Sequence, residues 1–110
     1  MEHFFRAMKY SWAGFLVMLR GTAFRQELGA LCVALVVVGY LRGASGVFEV
    51  LPWGLGMLAT ESLNTGVERA VDLVTSEWHP IAKEAKDVSS FACGAMIVAF
   101  GVVCLRALVF

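Results

Sequence analysis

Four polar side chains in the stretch ESLNTGVERAVD, residues 61–72, are spaced for chemistry: Glu61, Asn64, Glu68 and Asp72 stand at offsets of three, seven and eleven. On an α-helix these offsets form one narrow line, because residues three and four apart lie over one another. Two carboxylates one or two turns apart, with an amide between them, can hold Mg²⁺ or take the proton from a hydroxyl. The same line could carry a proton or a cation. It could also be the solvated end of a helix, with Glu68 or Asp72 paired to Arg25 or Lys86.

The setting of that line makes it unusual. Glu61 follows eleven uncharged residues, 50–60, in a chain of 110 residues that is 59% hydrophobic and only 16% charged. Soluble domains carry about a quarter charged residues, so the composition points to an all-α membrane protein with one domain, 1–110. Ionisable groups at membrane depth are costly and tend to face a bundle interior or a wet cavity. The formal charge of zero provides no global field for nucleic acid. Cys32, Cys93 and Cys104 lie in apolar runs without a CxxC pair or a Cys/His cluster, and read as small buried hydrophobes.

Three stretches must position the polar line. Residues 28–41 are free of charge between Glu27 and Arg42, and flanking arginine stems extend them to a span of about 25–42. A second span covers about 50–72, with Pro52 in its first turn, and a third covers about 88–107, opening on eighteen uncharged residues. RGASG, 42–46, reads as the short external turn. Before these spans, Phe5, Met8, Trp12, Phe15 and Leu19 recur every three or four residues, so about 1–20 reads as an amphipathic helix lying in the interface. The N-terminus lacks an apolar core of signal-peptide length and reads as part of the mature fold. Pro80 is placed to open a short surface helix carrying Lys83, Glu84, Lys86 and Asp87. Seven of the nine basic residues fall on the side of the N-terminus and the 73–87 segment, which predicts that this side is cytoplasmic. Trp12, Trp53 and Trp78 suit interfacial belts.

The segment ESLNTGVERAVDLVTSEWHPIAKEAKD, followed by VSSFA, resembles the signature of the small bacterial lipid kinases, the prokaryotic diacylglycerol kinases and undecaprenol kinases. AFRQE, 23–27, and YSW, 10–12, are similar to the diacylglycerol branch, while LNT, VDLVT and HPIAKEAKD are similar to the undecaprenol branch. The resemblance implies a homotrimer in the bacterial inner membrane that transfers the γ-phosphoryl group of ATP to a lipid hydroxyl, with Mg²⁺ as cofactor. Diacylglycerol is the expected acceptor and undecaprenol the alternative. The resemblance places Glu61 as general base, Glu68 as Mg²⁺ and nucleotide ligand, and Asn64 and Asp72 as supporting polar groups. Tyr10, Glu77, Trp78, His79, Lys86 and Asp87 take the nucleotide-binding positions. No GxxxxGK[ST] phosphate loop is present.

One position departs from the family pattern. Where the family carries a second metal-binding glutamate, this chain has Gly21, or Thr22 in a shifted alignment, and neither replaces a carboxylate: the alternatives are a weak second metal, one completed by Glu27 or by ATP itself, or its loss. Two readings from other classes stand beside the kinase. In one, Glu61 is the titrating acid of a proton- or ion-coupled membrane protein. In the other, the chain is a noncatalytic family member.

Overall fold

In the computed structural model, which describes residues 1–110, the chain is helical from end to end and contains no strand. It forms α1 (Glu2–Met18), α2 (Thr22–Val74) and α3 (Pro80–Val109). α2 is broken once, at Gly43, where φ is 68° and ψ is −154°. Only glycine adopts that combination without strain, and the chain reverses there.

Contacts across the break show the reversal. A Cβ on Gly54 would strike the side chain of Leu31, one on Gly46 would strike Val38, and one on Gly39 would lie 3.3 Å from Val47. Leu31, far from the break on one arm, meets Gly54, far from it on the other, while Val38 and Gly39 meet Gly46 and Val47 close to it, so residues 22–42 and 44–74 form an antiparallel hairpin. Two expectations change here. The turn is one residue rather than the whole of 42–46, because Gly43 alone supplies the bend and Ala44–Gly46 already belong to the second arm. Pro52 consequently lies well inside a helix rather than in a first turn, removing one interior backbone donor.

α3 runs back along the second arm. Cys93 Sγ lies 3.3 Å from the carbonyl oxygen of Thr60, and a Cβ on Gly56 would lie 2.7 Å from Met96. The three segments share a core of Leu31, Val38, Val50, Met57, Phe100 and Ala107. At the Gly43 end, Glu49 accepts Arg42 at 3.1 Å and pairs with Arg106 at 3.6 Å, while Arg42 also donates to the carbonyl of Ala107 at 3.4 Å. One carboxylate therefore ties all three segments together.

The opposite end is organised by a histidine. His79 Nδ1 accepts from the backbone N–H of Ile81 at 3.1 Å, satisfying a donor that the first helical turn leaves free, and Pro80 follows in the position it tolerates best. Instead of the expected short helix, Pro80 opens all thirty residues of α3, since nothing between Asp87 and Val88 interrupts the backbone ladder. α1 touches only α2, through Met18 and a ring contact of 6.0 Å between Phe15 and Phe24.

Only 12 of the 110 residues are buried, so most apolar side chains point outward. Val36, Phe91 and Val98 are each more than 60% exposed, a surface that water covers badly. α2 and α3 are both long and apolar enough to cross a membrane, and the molecule is a membrane protein by this character. The cysteine expectation holds only for Cys93. Cys32 is exposed and Cys104 half-buried, because the helical faces that carry them turn outward in a bundle this thin.

Candidate active site

The polar line lies on the second arm of α2, where Glu61 and Asn64 are half-buried and Glu68 and Asp72 are exposed. Its members find different partners. Asn64 donates its amide to Glu68 at 3.2 Å, one turn further on, and accepts the hydroxyl of Ser89 from α3 at 2.5 Å. Asp72 accepts Lys86 at 2.6 Å. Glu61, one turn before Asn64, lies near Glu27 of the first arm and Cys93 of α3.

Glu27, one of the groups offered for completing the cation's ligands, is the buried carboxylate of the bundle. It is 9% exposed, and neither carboxyl oxygen has a hydrogen-bond donor within the chain. It lies near Glu61, because Phe24, Glu27, Leu31 and Val38 share the face of the first arm that packs inward. The spacing of three, seven and fourteen from Phe24 carries that signal in the sequence. Ser89 was missed; an isolated serine at the start of an apolar run gives no sign of the asparagine it meets on another helix.

Beside the α2–α3 junction lies a polar cleft of about 410 Å³ lined by Asp72, Glu77, Trp78, His79, Lys86 and Asp87. It unites five of the seven expected nucleotide residues. Of the other two, Glu68 lies one turn before Asp72 on α2, and Tyr10 sits 70% exposed on α1, which makes no contact with α3. Within the cleft, Asp87 accepts Lys83 at 2.6 Å. That hydrogen bond, followed by the carboxylate's charge, holds the Lys83 ammonium above the usual lysine range.

A second, apolar groove of about 720 Å³ separates α1 from α2, with Met18, Phe24, Leu28 and Leu58 along its floor and Ser62 and Arg69 at its polar side. No three acidic, histidine or cysteine side chains converge to form a metal cage. Glu68 offers an exposed carboxylate on the polar line, with one oxygen held by Asn64 and the other without a protein partner. Such a donor suits Mg²⁺, which binds through one or two carboxylates while keeping phosphate and water ligands.

The sequence that builds this bundle matches a known family. The family model described as prokaryotic diacylglycerol kinase matches residues 9–110. The chain belongs to this family. A diacylglycerol kinase of Sinorhizobium is 36% identical over 113 residues, covering 100% of this chain and 81% of that protein. The Pseudomonas aeruginosa diacylglycerol kinase is 38% identical over 94 residues, covering 84% of this chain and 76% of the relative. An undecaprenol kinase of Bacillus subtilis is 32% identical over 107 residues, covering 96% and 85%. Membership of the prokaryotic diacylglycerol kinase family makes this chain a lipid kinase, as the sequence resemblance implied.

Proposed function

We propose that this protein transfers the γ-phosphoryl group of ATP to the hydroxyl of diacylglycerol, giving phosphatidic acid, at the cytoplasmic face of the bacterial inner membrane. The observation that carries this reading is the polar cleft formed by Glu77, Trp78, His79, Lys86 and Asp87, next to the carboxylate line of α2. Phosphoryl transfer asks the protein for positioning and charge stabilisation more than for covalent chemistry. Lys86 spreads phosphate charge, exchanging its contact with Asp72 for the nucleotide. Glu61 accepts the proton of the lipid hydroxyl. Glu68, steadied by Asn64, would hold Mg²⁺, which when bound neutralises phosphate charge. Asp72 holds Lys86 in place between turnovers.

The apolar groove between α1 and α2 offers acyl chains a path that ends at Ser62 and Arg69, one residue and two turns from Glu61. Three antiparallel segments support a multi-pass arrangement with the N-terminus cytoplasmic, since Arg20, Arg25, Arg69, Lys83 and Lys86 all cluster at the cleft end. The distance in the fold between Tyr10 and the cleft favours a homotrimer in which a neighbouring copy's α1 closes the nucleotide site. Undecaprenol is the second reading, favoured by the Bacillus relative's match over 85% of its length.

The test is phosphate transfer from ATP to each lipid in mixed micelles. Diacylglycerol is expected to be the better acceptor, and Glu61→Gln to lower kcat at least 10²-fold, the usual worth of a general base, with helical content unchanged. Transfer to neither lipid would refute the reading. An undiminished Glu61→Gln variant would remove Glu61 as the base, and faster transfer to undecaprenol would reverse the order of substrates.

A further inference from the structure

The contact between Ser89 and Asn64 fixes more than the packing of two helices. Asn64 has one oxygen and one NH₂ group, and only the NH₂ can face the carboxylate of Glu68 without oxygen meeting oxygen. Its Nδ2 donates to Glu68 Oε1 at 3.2 Å, which leaves Oδ1 turned toward α3. There Ser89 Oγ lies 2.5 Å away, and because Oδ1 can only accept, the serine must donate. The serine has one proton to give. Its other acceptor, the carbonyl of Lys86 one turn back, stands at 3.3 Å, so the shorter contact to Asn64 takes the proton.

We propose that Ser89 is a positioning residue for the kinase reaction: its hydroxyl locks the amide of Asn64 so that Asn64 holds the carboxylate of Glu68 in place for the cation of the nucleotide complex. This rests on the kinase reading and assigns a role within it to a residue outside the signature line. The physical basis is a directed chain from α3 to α2. Glu68 is exposed and its side chain would otherwise lose about a rotamer's worth of freedom on binding a cation. Asn64 reduces that loss, but an amide with a free oxygen can rotate about its last bond. The hydroxyl of Ser89, half-buried and carried on a separate helix, removes that rotation. The consequence is preorganisation, which raises affinity without adding a contact to the ligand.

The experiment uses the full chain in micelles, comparing wild type with Ser89→Ala and Ser89→Thr. Binding of Mn²⁺ in the presence of a non-hydrolysable ATP analogue, followed by electron paramagnetic resonance, reads the site without turnover. Ser89→Ala should weaken Mn²⁺ binding about fivefold, the worth of one hydrogen bond, and Ser89→Thr should restore it. In the Asn64→Ala background, Ser89→Ala should add no further loss, since the two residues act in series. In the kinase assay the Mg²⁺ concentration for half-maximal rate should rise by the same factor while the KM for lipid stays constant.

Unchanged Mn²⁺ binding in Ser89→Ala would overturn the proposal. So would a loss that Ser89→Thr fails to restore, or one that persists in full when Asn64 is already alanine. A wild-type protein inactive on both lipids would instead refute the kinase reading, and the Mn²⁺ measurements would still decide the role of Ser89.

Discussion

Lys86 Nζ stands 2.6 Å from Asp72 Oδ1, joining the second turn of α3 to the last turns of α2 across the mouth of the polar cleft. The neighbouring contact joins Ser89 to Asn64. Eight residues separate Asp72 from Asn64, about 12 Å of helix, while three separate Lys86 from Ser89, about 4.5 Å. Two helices in close contact cannot match those lengths with short side chains. The long lysine stem spans most of the difference, which is why the cleft opens here rather than closing like the core below.

That geometry sets the first expectation. Both groups of the ion pair are substantially exposed, at 40% and 59%, so Asp72→Asn should cost less than about 1 kcal/mol of stability. Lys86→Met should cost as little in stability but should raise the KM for ATP at least tenfold, because it removes the charge that meets the phosphates. Thermal denaturation and initial-rate kinetics on the two variants check this. Equal kinetic losses in both would show that the pair, rather than the lysine, serves the nucleotide.

Two glycines should respond differently from a third. Gly43→Ala places a Cβ on a residue at φ 68° and ψ −154°, a conformation that costs a non-glycine residue about 1–3 kcal/mol although open space surrounds it. Gly46→Ala leaves the backbone relaxed but drives its Cβ into Val38, with the carbonyl oxygen of Val38 only 3.2 Å away. A branched side chain and a fixed backbone cannot yield, so about 1–3 kcal/mol of overpacking is expected. Gly54→Ala meets Leu31 from its Cγ to both methyls, a side chain that can shift where the Val38 backbone cannot, and should be the mildest of the three. Unfolding midpoints in a common detergent rank them, and a Gly54 variant as damaged as Gly46 would contradict this account of the hairpin.

At the far end, Glu49 should matter more than its single charge suggests. Its side chain is 23% exposed and serves Arg42 and Arg106 together. Glu49→Ala leaves two guanidinium groups facing each other with no counter-charge, and a half-buried group deprived of its partner costs about 1–3 kcal/mol. Replacing Arg106, which is 73% exposed, should cost far less. Stability measurements on the two variants are expected to differ, with kcat per folded molecule unchanged in both because the cluster lies at the opposite end from the cleft.

The sequence by itself determined the helical class, the membrane character and the family, because these depend on composition, periodicity and an ordered signature that survive without knowing any contact. It also determined that Glu61, Asn64, Glu68 and Asp72 share one line, since helical spacing alone places them. Partners were another matter. Only the tertiary structure decided that Asp72 meets Lys86 rather than Arg25, that Asn64 meets Ser89, and that Glu27 packs inward near Glu61. Each depends on how one helix is rotated and shifted against another. That register is set by side-chain fit at Gly46, Gly54 and Gly56 and by the reversal at Gly43, and no spacing within a single segment records it.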